Sequence, residues 1–214
     1  MKIGVFDSGI GGKSVAQAIE LALPEHQIIF RDDSEHIPYG TKSLDEIRNY
    51  ATPILQDMAN VCDVIVVACN TVSTNLIDEL RLLVAVPLIA TEPMVKSAVD
   101  RTETKIIAIC ATPRTLTSTR YLWLKEKYAA GVKVLEPDCS EWTSLIEANQ
   151  MNQNLIEKDI DALCQAGADV IVLGCTHYHW IEQEVSLAAN GRAEVLQPEP
   201  VIIDELKQVL SRLQ

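Results

Sequence analysis

The chain has 214 residues, a formal net charge of −12 and a hydrophobic fraction of 48%. That length allows one large domain or two small ones of roughly 100 residues each, with enough apolar material for a core. The acid excess excludes general binding to nucleic acid or to an anionic membrane surface, since both need a basic face. A small anionic substrate remains admissible, because backbone N–H groups at helix starts hold carboxylates without lysine or arginine.

In chain order, short aliphatic runs alternate with amphipathic ones. Strands are expected at 2–6, 27–31, 63–68, 87–90, 105–110, 132–135, 169–173 and 194–197. Helices are expected at 12–22, 43–60, 73–83, 93–100, 115–128, 141–148, 152–166, 179–188 and 200–213. Such alternation predicts an α/β protein whose parallel strands are covered on both faces. No apolar run approaches the ~18 residues of a membrane helix. The N-terminus enters a strand without a signal-peptide pattern, so cytoplasmic residence is expected.

One segment occurs twice. Residues 63–71 read DVIVVACNT and residues 169–177 read DVIVLGCTH. The strand KIGVFDS near the start is likewise echoed by KIIAICAT from Lys105. The chain therefore reads as two similar α/β halves, the first covering 1–94 and 190–214, the second 95–189. The closing strand and helix are expected to return to the first half.

Six cysteines stand at 62, 69, 110, 139, 164 and 175, with no CxxC pair to suggest zinc or a redox dithiol. Cys62, Cys110 and Cys164 read as small buried hydrophobes. Cys69 and Cys175 differ, because each sits where a buried strand stops and polar residues begin. In open α/β sheets that edge is where ligands bind. Asp7, Ser8, Asn70, Thr71, Thr112, Thr176 and His177 fall at the same edge. Two thiols from similar halves suit the transfer of a proton from one face of a carbon to the other.

The turn DSGIGGKS after the first strand has inward N–H groups but lacks the spacing of a nucleotide loop. Asp7 reads as an inward carboxylate or as a helix cap. Pro38-Tyr39-Gly40 reads as a Pro-Gly turn or as a rigid lip with backbone donors. His36, in the same loop, is expected to face solvent. His177, two residues beyond Cys175, is a candidate proton partner for the thiol.

These stretches, GVFDSGIGG, DSEHIPYGTKS, VVACNT, ATPRTLTS, DCSEWTSLIE and VLGCTHY, resemble the glutamate racemases of the cofactor-independent aspartate/glutamate racemase superfamily. The resemblance runs from about residue 3 to 185. It implies two α/β domains related by pseudo-symmetry, with an active site in the cleft between them. It implies that Cys69 and Cys175 are the catalytic pair, assisted by Asp7, His177 and Glu147. It further implies substrate binding by Ser8, Pro38, Tyr39, Gly40, Asn70, Thr71, Thr112 and Thr176, and a less defined role for Asp33. On residue chemistry alone Glu147 would be an ordinary helix-surface acid.

The activity implied is interconversion of L- and D-glutamate, supplying D-glutamate for peptidoglycan, with no cofactor and no metal. The implied partner is a small anionic amino acid, and a homodimer is compatible with the resemblance. Alternatives are an aspartate or broad-specificity racemase, a maleate-isomerase-like enzyme, and a non-catalytic binding or regulatory protein on the same scaffold. His179-Trp180 departs from the family pattern, which usually has proline after GCTHY.

Overall fold

The computed structural model describes residues 1–213. The chain divides into two compact units, Met1–Glu92 with Pro198–Gln214, and Pro93–Gln197.

The first unit is built on β1 (Lys2–Asp7), α1 (Lys13–Ala22), β2 (Gln27–Asp32), α2 (Leu44–Ala59), β3 (Val64–Val67), α3 (Asn70–Leu83) and β4 (Leu88–Ala90). The second holds α4 (Val95–Arg101), β5 (Ile106–Cys110), α5 (Pro113–Leu116), α6 (Thr119–Tyr128), β6 (Lys133–Leu135), α7 (Trp142–Glu147), α8 (Gln153–Gln165), β7 (Val170–Leu173), α9 (Glu182–Ala189) and β8 (Glu194–Leu196). The last helix, α10 (Glu199–Leu213), belongs to the first unit.

Each unit carries one four-stranded parallel sheet. The orders are β2-β1-β3-β4 and β6-β5-β7-β8, the same arrangement in both units. The repeated sequence is thus a repeated topology. Register aligns the two copies: Ile3 pairs with Val64, and Ile107 pairs with Val170. On that alignment Phe6 corresponds to Cys110, Asp7 to Ala111, and Ser8 to Thr112.

Both faces of each sheet are buried, as the unbroken aliphatic runs require. In β3, Val64 and Val66 face a layer with Ile19 of α1 and Leu206 of α10, while Ile65 and Val67 face α2 and α3. In β7, Val170 and Val172 face Val95 and Tyr121, while Ile171 and Leu173 face Trp142, Ile160 and Val185. Cys110 is one of the core residues of that second face, and Cys62 is buried in the first unit, as expected of small hydrophobes.

The acid that opens both repeats is structural. The Asp63 carboxylate accepts from the Lys2 N–H at 2.7 Å. Asp169 accepts from the N–H groups of Glu103 and Thr104 at 2.6 and 2.8 Å and from the Thr102 hydroxyl at 2.5 Å. Each acid ties the loop entering one strand to the start of its neighbour.

Four expectations change. The strand at 194–196 pairs with β7, Val172 opposite Leu196, so it closes the second sheet and only the helix from Pro198 onward returns to the first unit. Glu194 is drawn there by its N–H bond to the Asp169 carbonyl and its pairing with Arg101. The helix expected at 115–128 is broken in two, because Thr112 and Ser118 each cap a new start by accepting from Thr115 N–H and Tyr121 N–H. Helix α3 begins at Asn70, three residues early, directly after Cys69. Residues Thr176–Ile181 form a tight 3₁₀ turn that leads into α9.

α10 docks through Ile202, Leu206 and Leu210, one residue per turn on a single stripe. Among the described residues no helix is long and apolar enough to cross a membrane.

Candidate active site

In both units the ladder runs one residue past the strand before a thiol turns away. Ala68 N–H bonds to the Phe6 carbonyl at 2.8 Å, and Gly174 N–H bonds to the Cys110 carbonyl at 2.7 Å. Cys69 and Cys175 are the next residues. Neither thiol is in a disulfide, and both are buried. Each also precedes a helical start, α3 after Cys69 and the 3₁₀ turn after Cys175, where backbone dipoles favour negative charge.

In the first unit the Cys69 thiol donates to the Ser8 hydroxyl at 3.3 Å. Asp7, fully buried at the end of β1, accepts from the N–H groups of Gly9 and Gly12 at 3.2 and 3.0 Å. The glycine turn is thus a carboxylate holder: Asp7 accepts from its N–H groups, while the N-cap positions themselves are Gly9 and Gly12. Gly12 has to be glycine, because a Cβ there would lie 2.4 Å from the Asp7 Cβ.

Asn70 is 2% exposed, and neither its amide nitrogen nor its amide oxygen has a hydrogen-bond partner among the described residues. Leaving such a group without a partner costs roughly 1–3 kcal/mol. Both polar atoms of this buried amide are therefore available for hydrogen bonds. Thr71 is buried beside it in the first turn of α3.

The lip holds Pro38, Tyr39 and Gly40, with Tyr39–Thr41 forming one 3₁₀ turn and the Ile37–Pro38 peptide cis. Tyr39 is buried in the same core layer as Cys69. Its hydroxyl donates to Asp33 at 2.5 Å. Burial first, then the bond to Asp33 and the charges of Asp33, Cys69 and Asp7, raise the phenol far above its usual range. Tyr39 therefore stays a donor. His36 does not face solvent freely: its Nδ1 lies 2.7 Å from Asp33 Oδ1, and its ring stacks on Tyr50 at 3.9 Å.

In the second unit the thiol keeps different company. Cys175 Sγ lies 3.7 Å from His177 Nδ1, and His177 Nε2 lies 2.6 Å from Glu147 Oε1. With Glu147 accepting at Nε2–H, Nδ1 is the lone-pair nitrogen that faces the thiol; this tautomer is assigned from the network. Glu147, at the end of α7, is therefore no ordinary surface acid. The 3₁₀ turn that carries His177 is pinned on either side. Tyr178 donates to the Cys139 carbonyl at 2.9 Å and meets Trp142 edge-on, while His179 Nε2 lies 3.3 Å from the Leu173 carbonyl.

Thr112 caps α5, and Thr176 is buried next to Cys175. Thr143, which the sequence did not single out, places its hydroxyl 3.9 Å from the Cys175 sulfur. The Cys139 thiol is raised far above the usual thiol range, first by the neighbouring Cys110 thiol and then by burial, so it stays protonated in the core cluster it shares with Cys175. Tyr50 was also missed. A tyrosine midway along an amphipathic helix carries no local signal of what its ring will stack on.

The chain matches the sequence profile of the Asp/Glu/hydantoin racemase family over residues 12–205. It is 33% identical to a glutamate racemase of Deinococcus radiodurans, across 99% of this chain and 76% of that protein. It is likewise 33% identical to one from Pseudomonas aeruginosa, across 98% of this chain and 81% of the other. Among solved structures, Escherichia coli glutamate racemase in complex with L-glutamate and the activator UDP-MurNAc-Ala superimposes with a TM-score of 0.91 at 26% identity, covering 98% of this chain and 82% of that one. Glutamate racemase from Francisella tularensis in complex with D-glutamate gives 0.82 at 26% identity, covering 99% and 81%.

Proposed function

Because the chain belongs to the Asp/Glu/hydantoin racemase family, we propose that it interconverts L- and D-glutamate by proton transfer between two thiols, supplying D-glutamate for peptidoglycan. The observation that carries this reading is the structural equivalence of Cys69 and Cys175, each one residue beyond the same ladder bond in units of identical strand order.

The proposed mechanism uses the contacts within each unit. Cys175, beside the His177–Glu147 pair, passes its proton to Nδ1 and becomes the thiolate base. It removes the α-proton of one enantiomer. The C–H electron pair stays on the substrate and spreads into the α-carboxylate. Asn70, Thr71, Thr176, Ser8 and the lip donate to that carboxylate as its charge grows. The Cys69 S–H delivers a proton to the opposite face, and Cys69 is left as thiolate. The enzyme then holds the opposite protonation state and is ready for the other enantiomer. This chemistry requires one thiol on each side of the α-carbon.

The assisting groups differ between the units, and the register explains why. The position equivalent to Asp7 is Ala111, so the second thiol takes its acid from Glu147 through His177. Thr71 in turn occupies the position of His177, so the first thiol is assisted from Asp7 and Ser8.

The test is incubation of the purified protein with each enantiomer of glutamate and of aspartate, with no cofactor added, followed by circular dichroism. Both glutamate enantiomers are expected to decay to zero ellipticity. Cys69→Ala and Cys175→Ala should each abolish inversion, and a single remaining thiol is expected to exchange the α-proton of one enantiomer slowly with heavy water. Racemisation of aspartate alone would move the substrate. Substantial turnover in either alanine variant would end the two-thiol mechanism.

A further inference from the structure

We infer that His36 is a positioning residue for this site: held between the Asp33 carboxylate and the Tyr50 ring, it fixes Asp33 and, through it, the Tyr39 lip beside Cys69. The inference rests on the functional reading above but concerns a residue outside the sequence motif that carries the thiols.

Asp33 stands one residue beyond β2 and is buried. A buried carboxylate is tolerated only where its oxygens are satisfied. Here one oxygen accepts from Tyr39 Oη at 2.5 Å, and the other meets His36 Nδ1 at 2.7 Å. His36 is thus half of what satisfies the acid that holds the lip. Its own position is set from α2. The Tyr50 ring lies 3.9 Å from the imidazole at an angle of 13°, and Lys42 Nζ lies 5.8 Å from the same ring. Tyr50 also approaches Tyr39, at 6.3 Å between ring centroids. Four side chains from the loop and α2 therefore form one closed set. Its inner member, Tyr39, shares a core layer with Cys69, and its outer member is the imidazole.

The consequence is a division of labour. The thiols and their acids move protons, whereas the His36–Tyr50 stack keeps the donor surface of the lip in place before substrate arrives. Removing the imidazole leaves Asp33 Oδ1 without this partner, and the lip must move to resolve it. A loss of this kind weakens substrate and transition state alike, which raises KM and spares kcat.

The experiment measures His36→Ala, Tyr50→Phe, Tyr50→Ala and the double alanine variant. Two readouts are taken: racemisation kinetics, and the rate of Cys69 alkylation by iodoacetamide, followed peptide by peptide in substrate-free protein. His36→Ala and Tyr50→Ala are each expected to raise KM about tenfold with kcat changed less than about threefold, and to speed Cys69 alkylation. Tyr50→Phe keeps the stack and should behave as wild type. The double variant should be no worse than either single one, as for residues that act as a unit. Unchanged KM and alkylation in His36→Ala would overturn the inference, as would a loss confined to kcat, which would place His36 in the chemistry. The alkylation arm needs no turnover. If wild type racemises nothing, the functional reading fails while that arm still decides whether His36 positions the lip.

Discussion

His177 and Glu147, thirty positions apart in sequence, meet at 2.6 Å between Nε2 and Oε1. With Nε2 donating to Glu147, Nδ1 is left facing the thiol at 3.7 Å, the arrangement that the proposed base role needs. Glu147→Gln keeps the shape but removes the charge that stabilises the imidazolium. We expect kcat/KM to fall about 10²-fold, together with slower alkylation of Cys175. The fall must be equal in both directions, since enantiomers have equal free energy and the equilibrium constant is one. Kinetics from L- and D-glutamate check both points.

Asn70 links stability to the proposed binding role. Its buried amide has no partner among the described residues, so an apolar residue of similar size should stabilise the ligand-free protein by about 1 kcal/mol. Asn70→Leu is therefore expected to raise the denaturation midpoint while weakening glutamate binding severely. Thermal melts with and without glutamate measure this: the variant should melt higher alone and gain little from ligand.

Asp169 gives a pH-dependent stability. Burial opposes its ionisation, but bonds from Thr102, Thr104 and Glu103 outweigh it and lower its pKa. A carboxyl with a lowered folded pKa stabilises the fold above its unfolded value of about 3.9, and that contribution fades as pH falls through the folded value. Asp169→Ala should cost about 2 kcal/mol at neutral pH, with the gap to wild type closing below about pH 4. Urea titrations at neutral and acid pH check the window.

Leu206 is fully buried in the stripe by which α10 covers the first sheet. Leu206→Ala should cost about 3 kcal/mol through lost transfer energy and a residual cavity. Because α10 packs on the first unit, hydrogen exchange is expected to quicken in α1 and β1 and to change little in β7. Exchange rising equally in both units would contradict that assignment.

The sequence by itself determined the α/β class, the strand positions and the edge at which Cys69 and Cys175 emerge. These properties are local: a parallel strand buried on both faces must be aliphatic, and the first polar residue after it leaves the sheet. The repeat of DVIVVACNT and DVIVLGCTH carried the matching strand orders for the same reason. What only the tertiary structure decided was partnership. The β7 edge claimed the strand at 194–196, although the sequence reading sent it to the first unit. Glu147 reached His177, and Tyr50 stacked on the His36 ring, contacts that residue chemistry alone does not reveal. Periodicity records which face of an element is buried, but not which residue of another element covers it. That choice is made when the loops close and the layers pack.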